Sequence, residues 1–351
     1  MLTAAGNIRL QRVYFVCRAC RLGGYAADER LGIEGGHSRQ AERLLCLAGA
    51  SWSFDRAAEH LKTLTGIAVA DNTIRNVCDT RAAAISHWRH TQREAHEAWR
   101  GAEGNVEFET DGTCVNTYDG WREMRLGIFA KRTAGQPAPS EEWSERRLPS
   151  ATARIAFAAI EKAERFTARW SQWRGRLGIK PNETIHVVAD GARWIWDALA
   201  REFRHVDGVL DVYHALEHLA TAARALYGEG TKEAECWFDA ARQQMLSGGW
   251  PALDDYFRQT RAGVRSPAKC QALGQVIQYF RRHENHLNYP QQLASGRTIG
   301  SGMIEGACKN VIGRRLKQTG ARWRTRRANR MAVLCSTLYS DHWDHYWNSA
   351  A

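Results

Sequence analysis

Two stretches of this chain, NVEFETDG at 105–112 and TIHVVADG at 184–191, run as strands into an Asp-Gly pair. In the first, Val106, Phe108 and Thr110 face one way and Glu107, Glu109 and Asp111 the other. Gly112 is expected to release the chain. Asp119-Gly120 then signals a hairpin turn into WREMRLGIFAKR, so Asp111 is expected near the open loop of a hairpin. The second stretch ends at Asp190; Gly191 allows a sharp exit, and ARWIWDALAREF reads as a helix. An aspartate at the end of a strand that feeds a helix occupies the crevice position of an α/β sheet. ARIAFAAI reads as a third strand after a loop at 133–150, and EKAERFTARWSQWRGRLG as a helix ended by Gly178. VDGVLD is a further strand, ending in Asp211 and leading into the helix YHALEHLATAARALYG. The fold class is therefore α/β.

A third acid, Glu305, lies in RTIGSGMIEGACKNVIGRRLKQTGARW. Ser301 is placed to cap a helix with Glu305 in its early turns. Residues 228–298 read as a polar, helical insertion, interrupted at Gly248-Gly249-Trp250-Pro251. From Lys309 to Arg330 the chain holds nine Lys or Arg and no acid. Such a run beside acidic residues suits a phosphate backbone held by cations while carboxylates hold metal. Its candidate DNA contacts are Lys309, Arg314, Arg315, Lys317, Arg322 and Arg324; a merely solvated helix is the alternative. His214 and His218, four apart on one helix face, could serve a single zinc, active-site hydrogen bonds or packing. The order His-Ala-Leu-Glu-His lacks the glutamate placement of a zinc protease.

Three carboxylates brought together would repel and raise one another's pKa values unless a cation joined them. Mg²⁺ is a hard ion that prefers oxygen ligands. Two such ions, roughly 3.5–4 Å apart, activate the attacking oxygen and stabilise the leaving oxygen of a phosphodiester. Asp111 suits a bridging position, with Asp190 and Glu305 completing one side each. Asp211 also ends a strand and competes with Asp190 for the role. The formal net charge of +11 agrees with a polyanionic partner.

The N-terminal third has a different character. Cys17-Arg-Ala-Cys20, followed by Gly23-Gly24, resembles half of a zinc ribbon, and tetrahedral zinc needs four ligands. Cys46 sits in the apolar run AERLLCLAGA and reads as core, and His37 is isolated. A missing upstream half of the ribbon would explain both the lone pair and the abrupt opening strand VYFVC. From residue 37 the pattern is helical. Phe54, Ala57, Ala58 and Leu61 share a face, Gly66 marks a turn, and Asp71 or Asn72 is an N-cap candidate. Helix, glycine turn and capped second helix make a helix-turn-helix that would offer Asn72, Thr73, Arg75 and Asn76 to DNA; an ordinary helical hairpin is the alternative. HTQREAHEAWRGAEGN reads as a polar linker to the next unit.

Nine scattered cysteines and no secretory signal suggest reduced thiols in the cytoplasm. No apolar run approaches eighteen residues, so no membrane span is expected. The fourteen tryptophans are expected mainly in the core, with base stacking as the functional alternative.

The motifs ETDGT at 109–113, VVADGARWIW at 187–196, LDVYHALEHL at 210–219, SGMIEGACKNVIGRRLKQTGARW at 301–323 and HWDHYW at 342–347 together resemble insertion-sequence transposases of the ISKra type, distant relatives of Mutator-like elements. The resemblance spans almost the whole chain. It implies a ribonuclease H-like mixed sheet with an all-helical insertion, preceded by a helix-turn-helix region. The expected units are 1–36 (partial zinc ribbon), 37–100 (DNA binding), 101–227 (first catalytic part), 228–298 (insertion) and 299–351 (last catalytic part).

The resemblance further implies an Asp-Asp-Glu triad at Asp111, Asp190 and Glu305, using Mg²⁺ or Mn²⁺, with Asp211, His214 and His218 as auxiliary residues. The implied reaction frees a 3′-hydroxyl at each transposon end and joins it to target DNA. The implied partners are terminal inverted repeats and target DNA on the bacterial nucleoid, bound by a homodimer or larger assembly. Members usually carry cysteines upstream of the Cys17 position, so a truncated start is expected. A ribonuclease H-like nuclease without strand transfer, an inactive domesticated DNA-binding protein and a glycosidase with paired carboxylates are the rival readings. The last explains neither the basic run nor the helix-turn-helix.

Overall fold

The computed structural model describes residues 1–25, 28, 33–34 and 36–349. Strands β1 (Asn105–Thr117) and β2 (Gly120–Arg132) pair antiparallel along their whole length. The turn at Asp119-Gly120 is as expected, with φ +88° at Gly120. Gly112, however, does not release the chain. It pairs with Arg125 in mid-hairpin, so Asp111 lies in the interior of a long strand and not beside a loop. The extended alternation after Gly112 keeps the ladder going: Val115 and Thr117 point inward and are fully buried.

β3 (Ala153–Ala159) pairs antiparallel with β2. β4 (Ile185–Ala189) runs parallel to β1, and β5 (Val206–Leu210) runs parallel to β4. The sheet order is thus β5-β4-β1-β2-β3, a mixed sheet in a mainly helical α/β chain. Every residue of β4 is buried, as expected for a short parallel strand covered on both faces.

Ahead of the sheet lie α1 (Arg39–Ser51), α2 (Phe54–Thr65) and α3 (Asp71–Thr91). Gly66 ends α2 in the left-handed region at φ +73°, which lets the chain turn toward α3. The N-cap of α3 is Ala70 and makes no side-chain cap, so neither Asp71 nor Asn72 caps it; Asp71 instead contributes negative charge to the first turn. The expected linker after α3 is packed structure. Residues 94–101 form short helical turns that bury Ala95, His96 and Trp99.

α4 (Ala163–Leu177) and α5 (Arg193–Glu202) cover one face of the sheet with Trp170, Trp173, Ile195 and Leu199. α6 (Val212–Tyr227) follows β5. The insertion consists of α7 (Lys232–Gly263), α8 (Pro267–Arg282) and α9 (Tyr289–Ala294), sharing a core with α6. α7 bends at Gly249, where φ is 64° and a Cβ would stand 2.6 Å from the Leu287 carbonyl oxygen. Only glycine meets both conditions. The last elements are α10 (Gly302–Ala307), a π-helical segment at Cys308–Gly313, α11 (Thr325–Tyr339) and α12 (Trp343–Ser349). They form one hydrophobic core with α1–α3 and with residues such as Met124 and Ile128 of the hairpin. The Arg327–Asp79 ion pair at 2.9 Å ties α11 to α3. Among the described residues no helix is long and apolar enough to cross a membrane.

Candidate active site and nucleic-acid face

Parallel pairing brings the first two acids together. Val188 of β4 stands opposite Glu109 of β1, the last pair of that ladder, and Asp190 and Asp111 each follow two residues later. Ala189 stands opposite Leu210, so Asp211 follows on the next strand over, and its N–H donates to the Ala189 carbonyl at 2.8 Å. Asp190 and Asp211 thus follow the ends of neighbouring strands, while Asp111 lies within the third.

Asp111 is half-buried. Its Oδ1 accepts from the Gly112 N–H at 2.6 Å, and the Cys308 thiol donates to Oδ2 at 3.7 Å. Burial, then the Asp111 charge, pushes that thiol up to about 12, so it is a neutral donor and not a thiolate. Asp190 uses Oδ1 to accept from the Ala192 N–H at 3.0 Å, turning the chain into α5, while its carbonyl accepts from Trp196 Nε1 at 2.8 Å. Glu305 stands one helical turn before Cys308, half exposed, with Lys309 Nζ 3.9 Å away.

Asp211 does different work. It is 1% exposed; Oδ1 accepts from the Ser301 N–H at 2.9 Å, and Oδ2 accepts from the N–H and Nδ1 of His214, both at 3.3 Å. Its oxygens are committed to capping α6 and to holding the loop that opens α10. His214 is raised to about 9, first by its hydrogen bond to Asp211, against the opposing effect of burial. His218 makes no such bond; it stacks on Tyr279 of the insertion with centroids 3.6 Å apart. Burial lowers its pKa, and the neighbouring His214 adds to that.

Ser301 occupies the N-cap of α10 but makes no side-chain cap. Glu109 takes that part: its Oε2 accepts from the Ile304 N–H at 2.7 Å. Glu109 is 1% exposed, and burial pushes its carboxyl well above the usual range. The strand alternation already put Glu109 on the face of Asp111, but nothing in the sequence indicated that a helix from 195 residues further along would dock there. Tyr279 was also missed. Its hydroxyl is buried without a partner, and burial, then the charges of Asp190 and Asp211, push it up.

Oxygen donors with free valences on Asp111, Asp190 and Glu305 fit Mg²⁺ or Mn²⁺ in kind. Among the described residues, no three acids, histidines or cysteines stand close enough to form a ligand set as drawn. Cys17 and Cys20 sit at the turn of a small hairpin, Tyr14–Val16 with Gly23–Tyr25, and both are exposed. A backbone hydrogen bond from Cys20, then one from its side chain, lowers the Cys17 thiol. They remain two thiols where zinc needs four ligands.

The cationic candidates divide. Asn72 and Asn76 are exposed at the start of α3, and Thr73 and Arg75 are partly so. Arg75, Arg322 and Arg324 line one cleft of about 710 Å³ between α3 and the loop before α11. Lys309, Arg314 and Lys317 are exposed, and Lys317 bonds to Thr113, two residues past Asp111. Arg315 departs from expectation. It is 2% exposed, donates to the Gly49 carbonyl at 2.6 Å and lies between the rings of Phe54 and Trp323 at 4.8 and 4.7 Å. It ties α1 and α2 to the basic segment and is buried, away from the surface.

No protein-family profile matches the chain, and no curated protein matches it.

Proposed function

We propose that this chain is a transposase of the Asp-Asp-Glu class, with a ribonuclease H-like body, a helix-turn-helix in α2–α3 and the triad Asp111, Asp190 and Glu305. One observation carries the reading: Asp111 and Asp190 each lie two residues past the last paired position of the same parallel ladder, and the segment carrying Glu305 is fastened to the Asp111 strand through Glu109–Ile304 and Asp111–Cys308. Mg²⁺ or Mn²⁺ on these carboxylates would supply Lewis-acid activation of the attacking oxygen and stabilise the leaving one. The protein's own residues do the rest. Asp211 holds the α6 start and the Ser301 loop in one position. Lys309 and Lys317 supply cations beside the acids, and Arg322 one at the hairpin turn, for a phosphate backbone. Arg75 and the exposed Asn72 and Asn76 offer a sequence-reading edge. Terminal inverted repeats and target DNA are the proposed partners, with a dimer or larger assembly joining two ends.

The test is a strand-transfer assay with a pre-cleaved 3′-end, in Mg²⁺ or Mn²⁺. Wild type is expected to join the end to target DNA. Asp111→Asn, Asp190→Asn and Glu305→Gln are each expected to abolish joining while binding DNA within a few-fold of wild type. Cleavage without joined product would favour a nuclease, and unchanged joining by any of the three variants would refute the triad.

A further inference from the structure

Asp190 sits on a turn that the helical insertion touches at two points. The first is Gly191. A Cβ on this glycine would stand 2.4 Å from the Tyr279 hydroxyl oxygen, and 2.6 and 2.8 Å from two carbons of its ring. The backbone there is outside the left-handed region, so the approach of Tyr279, and not φ, is what calls for glycine. Tyr279 lies on α8 and has little freedom to retreat. His218 of α6 stacks on its ring with centroids 3.6 Å apart, and His283 lies at 5.1 Å. The second point is Trp196 of α5. Its Nε1 donates to the Asp190 carbonyl at 2.8 Å, and its ring stacks at 3.7 Å on His286, from the turn after α8. Gly191, Trp196, Tyr279 and His286 also line a cleft of about 460 Å³, so the turn has open space to move into if these contacts are lost. The carboxylate belongs to the same turn, because Asp190 Oδ1 accepts from the Ala192 N–H at 3.0 Å.

We propose that Tyr279 is a positioning residue for Asp190, and that the insertion, through Tyr279 on Gly191 and His286 on Trp196, sets the place of a carboxylate it does not itself supply. The hydroxyl is buried with no hydrogen-bond partner, so the ring does the holding by contact. A functional carboxylate has to be kept within about 0.5 Å of its productive place. A Cβ at Gly191 would have to draw back about 1 Å to reach an ordinary carbon contact of about 3.5 Å, about twice that tolerance. Gly191 is joined directly to Asp190, and the Asp190 side chain bonds to the residue on its other side, so a shift there moves the carboxylate. His218 supports the arrangement from α6. It does so through Tyr279, one contact removed from the acid.

The inference rests on the triad reading for the role of Asp190 in holding metal; the placing of Asp190 is measured without metal or DNA. Amide exchange at Ala192, followed by NMR on the full chain, reports whether the Asp190 carboxylate keeps its bond. Gly191→Ala, and Tyr279→Leu with its shorter side chain, are each expected to speed that exchange at least tenfold relative to the amides of β4. Tyr279→Phe keeps the ring and is expected to stay within twofold of wild type. The double variant carrying Gly191→Ala and Tyr279→Leu is expected to lie within threefold of the faster single variant, because both changes break one contact. Effects that multiply, exchange that rises equally along β4, or a tenfold rise in Tyr279→Phe would overturn the proposal. Calorimetry with Mn²⁺ alone then connects position to metal. Gly191→Ala and Tyr279→Leu are each expected to bind the ion at least tenfold more weakly than wild type, as is Asp190→Asn. Loss of affinity in Asp190→Asn but in neither of the others would overturn the positioning role. If Asp190→Asn binds Mn²⁺ like wild type, the triad fails instead, and the exchange measurement alone decides what Tyr279 does.

Discussion

The Asp211–His214 contact makes stability depend on pH in a calculable way. His214 sits in the first turn of α6, where the helix dipole opposes an imidazolium by about 0.3–1 kcal/mol. Its pKa is nevertheless raised to about 9 from 6.5, so the buried Asp211 carboxylate outweighs the dipole. At 1.36 kcal/mol per pH unit that gap is worth at most about 3 kcal/mol. The His214 side chain is 48% exposed, so solvent screening reduces the contribution to about 1–2 kcal/mol. The sign follows from the direction. A group whose folded pKa is raised stabilises fully below its unfolded pKa, and the contribution is lost as pH rises through about 9. Denaturant unfolding of wild type and His214→Gln is the assay. The wild type is expected to be about 1–2 kcal/mol more stable than the variant at pH 6, and the difference should close by about pH 10. A difference that stays constant or widens with pH would refute the ion pair as its origin. In Asp211→Asn, the His214 titration followed by NMR should return toward 6.5.

Arg322→Ala is expected to weaken DNA binding across all sequences and to reduce the salt slope by about 1, whereas Arg315→Ala is expected to lower the unfolding free energy instead. Reversing those two phenotypes would contradict the assignment of Arg315 to the core. Gly249→Ala, with φ 64° and a backbone oxygen 2.6 Å from the new Cβ, should destabilise by about 1–3 kcal/mol; an unchanged melting temperature would show that the bend relaxes freely. Chelation of divalent metal should stop joining, and added Mg²⁺ or Mn²⁺ should restore it; joining that persists through exhaustive chelation would count against the carboxylate site.

Local patterns carried much of the architecture. Alternation and turn residues placed all five strands of the central sheet, and Gly178 and the Gly248–Pro251 break appear where helix chemistry puts them. Asp190 and Asp211 were visible because each ends an apolar run that must be a strand, and Asp111 because it lies on an alternating one. Gly112 misled because a glycine in a strand reads as an exit, while the flanking alternation and the ladder to β2 override it. Ser301 misled in a different way. Its type suits a cap, but a tertiary contact from Glu109 satisfies the helix first. Arg315 reads as surface on charge alone; only the approach of Phe54 and Trp323 from distant segments makes its burial tolerable. Contacts of that range, and the stacking of His218 on Tyr279, depend on where the insertion docks, which no local pattern encodes.

The helices α1–α3 do not hang from the sheet on a tether; they share their apolar interior with α10–α12 and the hairpin. If α3 reads DNA, the distance from the bases it reads to the bond that is broken is built into the body like the spacing of marks on a ruler. Lengthening the DNA between the two by half a helical turn should then disable the reaction, and a full turn should restore it in part only if the DNA itself bends.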